Sequence, residues 1–357
     1  MIVHIFNKET VYSYKFLLLL YDYFDLKSNH IFVFRSPQKN SKYDYPSDIK
    51  EQIVHAENWY KFIIRLFIPL IKADKIILHY LAVGPSLFFW FIFRALIKKV
   101  IWKQWGNDLY YFQKKKKFPD TLYEYLRKVI IKRIDAIVCI PKEDYELTKK
   151  VYETEAKYFY AFYPNPIGYE SIEYTPYDLR DKQTLNILIG NSANPTNNHL
   201  EILKALGRIQ MENSYKIYCP LSYGGDKDYV NEVIHKGKNL FGENFVYITK
   251  LKSPQHYKDF LLKMDIAIMN QRRKQGMGTV FFLLYSGKKV YIRSDVTSYT
   301  YLKELGLTIF RTDEIIEKFD KSINYFPQYL QTKNHEIIKN EFSFEQSASL
   351  WKKIFDY

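Results

Sequence analysis

Short apolar runs recur along this chain with room for a helix between each pair, and that rhythm leaves few architectures open. In the first half the runs lie at residues 2–6, 31–34, 76–80, 100–103, 136–140 and 159–162; in the second they lie at 186–189, 215–219, 245–248, 265–269, 289–292 and 307–310. Strand, helix, strand in sequence implies a mostly parallel sheet covered on both faces. Between the two series, residues 163–182 carry Pro164, Pro166, Gly168 and Pro176 among polar neighbours, the composition of a linker. The expectation is therefore an α/β protein of two similar domains, each on a mostly parallel sheet. They are placed at residues 1–165 and 185–340, with a linker at 166–184, a cleft between the strand ends, and a C-terminal helix at 341–357 that packs back on the first domain.

The bulk numbers agree with a folded pair of domains, since 357 residues at 47% hydrophobic content bury sizeable cores. Cys139 and Cys219 both sit in apolar, strand-like runs, so a disulfide framework and a multi-cysteine zinc site are set aside. The opening MIVHIFNKET reads as a buried strand and lacks the pattern of a signal peptide, which points to a cytoplasmic protein. A net charge of +14 with 18% aromatic residues draws the chain toward a polyanion: nucleic acid, an anionic bilayer or a phosphorylated small molecule. No recognised nucleic-acid module accompanies the charge, and nucleic acid is not expected as a partner. The lysine run 114–117 reads as a solvated loop, with contact to lipid headgroups as the alternative.

Two segments, WYKFIIRLFIPLIK at residues 59–72 and SLFFWFIFRALIKK at 86–99, are interrupted by Lys or Arg. Both fall short of the ~20 residues of a spanning helix. Two readings stay open for each: burial in the core, or an aromatic and basic face resting on an anionic membrane surface.

Three motifs carry the candidate chemistry. In the first, the strand at 186–189 ends at Gly190-Asn191-Ser192, and Pro195-Thr196-Asn197-Asn198 starts the helix that carries His199. Backbone N–H groups and the positive end of a helix dipole make such a loop a site for phosphate. The second, QRRKQGMGT at 271–279, follows another strand. There Gly276 and Gly278 admit close approach, Thr279 is expected to cap the next helix, and Arg272, Arg273 and Lys274 supply charge for a diphosphate. The third, WGNDLY at 105–110, follows the strand at 100–103. Asp108 is the candidate general base, with Trp105 or Tyr110 stacked on a sugar face; the alternative is a helix-capping Asp108 beside a core Trp105.

With these motifs in order, the chain resembles the bacterial N-acetylfucosamine transferases of glycosyltransferase family 56, the 4-alpha-L-fucosyltransferase-like enzymes. The family pattern W-G-x-D-L-Y is met at Trp105, Gly106, Asp108, Leu109 and Tyr110, and its G-N-S with N-x-H at Gly190, Asn191, Ser192, Asn197 and His199. P-x-x-Y with a downstream tyrosine is met at Pro220, Tyr223 and Tyr229, and R-x-Q-G-x-G-T at Arg273, Gln275, Gly276, Gly278 and Thr279. The likeness is strong over residues 99–295 and weak toward the N-terminus. What it implies is a GT-B glycosyltransferase fold of two Rossmann-like domains. A nucleoside-diphosphate sugar, TDP-linked in the family, is held mainly by the second domain, and an undecaprenyl-diphosphate-linked glycan is presented to the first. It also implies peripheral attachment to the inner face of the bacterial cytoplasmic membrane.

Other residues carry less. Asp226-Lys227-Asp228 has the D-x-D spacing of metal-dependent sites, but it falls at an expected helix start where carboxylates suit the dipole. Glu143-Asp144 reads the same way. With cations and helix ends available for the leaving diphosphate, neither a metal nor any other cofactor is expected.

Overall fold

The computed structural model describes residues 1–26, 29–36, 42–113, 117–169, 172–209, 214–250, 253–316 and 323–357. Lys114, Lys115 and Lys116 of the lysine run lie outside the described residues. The chain divides into two compact units, one of residues 1–166 with 344–357 and the other of 167–343.

The first unit is built on strands β1 (Ile2–Phe6), β2 (His30–Phe34), β3 (Ile53–His55), β4 (Lys75–Leu78), β5 (Val100–Lys103), β6 (Ala136–Val138) and β7 (Lys157–Phe159). They form a parallel sheet in the order β3-β2-β1-β4-β5-β6-β7. The second unit carries β8 (Thr184–Ile189), β9 (Ser214–Pro220), β10 (Phe245–Ile248), β11 (Ile266–Met269), β12 (Lys289–Ile292) and β13 (Phe310–Arg311), in the parallel order β10-β9-β8-β11-β12-β13. The central strands β1, β5, β11 and β12 are buried throughout and mostly apolar, with His4, Lys103 and Lys289 as the exceptions, as expected of a sheet covered on both faces. These are two Rossmann-like domains of GT-B type. In each sheet the order reverses direction once, between β1 and β4 in the first and between β8 and β11 in the second. Open parallel sheets bind their ligands beyond the carboxyl ends of the strands at such a point.

Strand expectations need correction at residues 79–80 and 139–140, which lie just past β4 and β6, and at 160–162 and 307–309, each of these last two for a local reason. Residues 160–162 leave the sheet because the Phe162 carbonyl accepts hydrogen bonds from Ser347 Oγ (2.8 Å) and Trp351 Nε1 (2.9 Å) of the C-terminal helix Phe344–Asp356. Residues 307–309 stay out of β13, where both backbone groups of Thr308 bond to the side chain of Asn334, at 2.7 and 2.8 Å. The edge strand β3 was not expected, being three half-buried residues without a strong apolar signal.

The core reading of residues 59–72 holds for one face of a single helix, and the other face is exposed. Phe62, Leu66 and Leu70 of Trp59–Lys72 are buried, whereas Ile64, Ile68 and Ile71 are 75, 62 and 49% exposed. The helix Ser86–Ile92 buries Leu87, Phe89 and Trp90 and leaves Ile92 exposed. Among the described residues no helix is long and apolar enough to cross a membrane.

Candidate functional site

In the second unit the two glycine-bearing loops emerge on either side of the switch point, one after β8 and the other after β11. Gly190 ends β8 with φ +66°, and a methyl group there would come within 2.8 Å of both Asn197 Oδ1 and His199 Nε2. The turn is closed by Asn197, whose Oδ1 accepts the Asn191 N–H at 3.2 Å and whose Nδ2 donates to Ser192 Oγ at 3.3 Å. Beyond it come the short helix Pro195–Asn197 and then His199–Leu206, with Asn198 left-handed at φ +51° between them. The second loop delivers the helix Met277–Tyr285. Its N-cap is Gly276, at φ +67°, with no side chain to cap the first turn. Thr279 is thus in the third helical position instead of capping, and its Oγ1 lies 3.1 Å from the Tyr257 hydroxyl.

The two loops are tied to each other. Arg272 N donates to Thr196 O at 2.9 Å, Thr196 Oγ1 to Gln275 Oε1 at 2.8 Å, and Gln271 Nε2 to Asn191 Oδ1 and Asn197 Oδ1 at 3.4 and 3.3 Å. Gly276 completes the fit, since a methyl group on it would sit 2.9 Å from Asn191 Cγ. A third segment joins them: Tyr223, half exposed beyond the buried Pro220 at the end of β9, accepts from Asn191 Nδ2 at 3.3 Å. The result is a pre-formed polar shelf, with Arg272 exposed, Arg273 half-buried and Lys274 buried along one side. Helix start and cations together suit a diphosphate.

His199 is fully buried against Gly190, with Nδ1 3.1 Å from the Tyr229 hydroxyl. Burial holds its imidazole down at about 4, so it is a neutral packing group at pH 7. Asp226 caps the helix Lys227–Phe241 by accepting from Tyr229 N at 2.8 Å, and Glu143 and Asp144 lie in the first turn of Lys142–Tyr152. Gln271 opens the second motif, but its part in tying the two loops together has no signal in the sequence.

In the first unit the switch point holds a cavity of ≈ 380 Å³. The ends of β1 and β4 line it through Asn7, Lys8, His79 and Tyr80, joined by Trp105, Asn107 and Tyr163. Trp105 is fixed by donation from Nε1 to His79 O at 2.7 Å. A neighbouring cavity of ≈ 370 Å³ shares Asn7, Tyr80 and Asn107 and is also lined by Arg35. Arg35 is half-buried, and burial lowers its pKa.

Asp108 requires the main correction. Its carboxylate is fully buried, Oδ2 accepting from Leu81 N (3.1 Å) and Trp102 Nε1 (2.8 Å) and Oδ1 from Trp105 N (2.7 Å). Those bonds favour its charged form, while burial outweighs them and raises its pKa. With no surface open to the cavity, it holds the Trp105 turn that begins at Gly106, which is the helix-capping alternative and not the exposed carboxylate that a base at this position calls for. Tyr110 turns to Asp144 Oδ1 at 3.2 Å and is absent from the cavity wall. Asn7, Lys8 and His79, just past the ends of β1 and β4, line the cavity where the switch-point rule expects, whereas Tyr163, beyond the edge strand β7, does not follow from the strand order.

Comparisons with known proteins bear on the family and the fold. The family model described as 4-alpha-L-fucosyltransferase glycosyl transferase group 56 matches residues 72–352. Similar solved structures include a glycosyltransferase from Rickettsia africae (12% identity, TM-score 0.65, covering 99% of this chain and 97% of that one). Another is WaaG, a glycosyltransferase involved in lipopolysaccharide biosynthesis (10% identity, TM-score 0.65, 100% and 99%). A third is Anabaena HepE in complex with UDP and glucose (9% identity, TM-score 0.67, 100% and 99%). At these identities the likeness to solved structures is one of fold.

Proposed function

The chain belongs to glycosyl transferase group 56 and is a glycosyltransferase, and from that premise we propose that it moves an amino- or deoxy-sugar of N-acetylfucosamine type from a TDP-linked donor to a hydroxyl of an undecaprenyl-diphosphate-linked oligosaccharide in bacterial surface-polysaccharide synthesis. The observation that carries this reading is the pair of mutually hydrogen-bonded loops at the switch point of the second unit. Gly190, Asn191, Ser192 and Tyr223 take the nucleotide side, and the Gly276 helix start with Gly278, Arg273 and Lys274 takes the diphosphate. That HepE was obtained with UDP supports a nucleotide on this scaffold.

As the sugar transfers, negative charge grows on the departing diphosphate. A fixed helix dipole and guanidinium meet that charge without reorganisation, so the reading calls for no metal or other cofactor. The acceptor is assigned to the first unit, with Trp105 beside its sugar and the Arg35 guanidinium beside its diphosphate. The exposed Ile64, Ile68, Ile71 and Ile92, with Arg65, Lys72, Arg94 and Lys98 on the same helices or close by, suit peripheral docking on the anionic inner face of the cytoplasmic membrane.

The test is a transfer assay with purified protein, vesicles carrying a lipid-diphosphate disaccharide, and a TDP-sugar. One added sugar per acceptor is expected; absence of product with every nucleoside-diphosphate sugar offered overturns the reading.

A further inference from the structure

The first unit contains an uninterrupted file of hydrogen-bonded imidazoles that ends in the switch-point cavity. His30 opens β2, His4 is in the middle of β1, and His79 follows the last residue of β4, so the three cross the sheet diagonally from its amino edge toward its carboxyl edge. His30 Nδ1 lies 2.9 Å from His4 Nε2, and His4 Nδ1 lies 2.9 Å from His79 Nε2. His79 Nδ1 bonds in turn to the hydroxyl of Tyr163, which lines the cavity together with His79 and Trp105. All three imidazoles are buried, His30 retaining 8% of its surface. Aromatic rings enclose them: Phe16 and Trp351 pack on His79, and Phe355 packs edge-on against His4 and His30.

A neutral imidazole has one donor and one acceptor nitrogen, so the file has one of two polarities along its whole length. In one of them Tyr163 donates to His79, His79 to His4 and His4 to His30, leaving the His30 Nε2 proton at the outer end. Strands packed side by side do not need such an arrangement. Apolar residues fill the same face of β1 and β2 at Phe6, Phe32 and Phe34.

We propose that Tyr163, His79, His4 and His30 form a proton relay that takes up the proton of the acceptor hydroxyl during sugar transfer. The relay rests on the glycosyl-transfer reading above. In the transfer the acceptor oxygen forms a bond to the sugar carbon, the bond from that carbon to the diphosphate oxygen breaks, and the nucleoside diphosphate leaves with the electron pair. The hydroxyl proton moves to Tyr163 Oη as the tyrosine proton moves to His79 Nδ1. His79 Nε2 passes its proton to His4 Nδ1, His4 Nε2 passes its own to His30 Nδ1, and His30 Nε2 releases one to water. After product leaves, the reverse hops with water in the cavity restore the starting polarity.

A file succeeds here where one imidazole would not. His79 lies near the Lys103 ammonium of β5 and His30 near the N-terminal ammonium of Met1, and both these charges and burial disfavour imidazolium. No carboxylate bonds to any of the three rings among the described residues. Concerted hopping leaves no charge resting on His79 or His4.

The test measures transfer by the full-length protein in mixtures of H2O and D2O. The relay predicts a curved proton inventory for the wild type, reporting more than one proton in flight. It predicts that Tyr163→Phe and His30→Gln each lower kcat at least ~10-fold, leave donor KM and nucleotide-induced thermal stabilisation unchanged, and straighten the inventory. A merely structural His30 would leave the inventory of a folded variant curved. A linear wild-type inventory, or His30→Gln with wild-type kcat and inventory, overturns the relay. Should His30→Gln fail to fold, the wild-type inventory still decides. A wild type that neither binds a nucleoside diphosphate nor transfers sugar removes the functional reading itself and the relay with it, whereas an active wild type with unaffected variants removes the relay alone.

Discussion

The two units share a sheet plan and a switch point but present different chemistry there. In the second unit the point is built from backbone: glycines in left-handed conformations, asparagine side chains bonded to loop groups, and a helix start. In the first it is built from rings, with Trp105, Tyr163, His79 and Tyr80 around a cavity. The backbone-built site suits a diphosphate, whose charge is recognised by N–H groups and cations. The ring-built site suits a sugar face and a hydroxyl that must lose a proton. One topology thus offers two different chemistries at the same point of the sheet.

The largest expected contrast between the units is in acid. His4 and His79 have pKa values held well below 6.5, chiefly by burial, and those of His30 and His199 are lowered to about 4. A lowered folded pKa gives stability that is fully present above 6.5 and is lost as pH falls toward 4. For His199 the shift corresponds to about 3 kcal/mol. The first unit holds three such groups and the second one, so the first should fail sooner between pH 6.5 and 4. All five tryptophans belong to the first unit, so tryptophan fluorescence in urea reports it alone; hydrogen exchange reports both. Equal acid sensitivity in exchange would erase the contrast.

Single substitutions sharpen it. Gly276→Ala places a methyl group 2.9 Å from Asn191 Cγ at φ +67°; it should cost about 1–3 kcal/mol of stability and abolish the nucleotide-induced thermal shift, leaving tryptophan fluorescence of the first unit intact. Asp108→Asn sets an amide against N–H donors and should lower stability of the first unit by about 1–3 kcal/mol in urea, without changing donor KM. A variant of native stability that is inactive would return Asp108 to the role of base. Arg273→Ala should raise donor KM ~10-fold or more with folding and acceptor KM unchanged, from loss of a charged contact. Smallest is Ile68→Asp, which removes one exposed apolar group from the helix Trp59–Lys72 and should weaken binding to anionic vesicles by roughly 1–2 kcal/mol with nucleotide binding unaffected.

The sequence was readable where backbone geometry dictates residue type. Gly190 and Gly276 announce left-handed turns, and the apolar runs announce buried strands. It was opaque where partners come from far along the chain. Phe162 leaves β7 because Ser347 and Trp351 take its carbonyl, and Asp108 is sealed by Leu81 and Trp102. The histidine file shows the same limit: His30 and His79 lie 26 and 75 positions from His4 and meet it only once β1 is flanked by β2 and β4.

The central claim is that the paired loops of the second unit hold a nucleoside diphosphate. Thermal-shift titration of wild type and Arg273→Ala against TDP, UDP, GDP, CDP and CMP, with and without EDTA and with a short oligonucleotide as control, tests it directly. The account predicts stabilisation of the wild type by one nucleoside diphosphate, undiminished by EDTA and lost in Arg273→Ala. No response to any nucleotide, with salt-sensitive binding of the oligonucleotide instead, would contradict it.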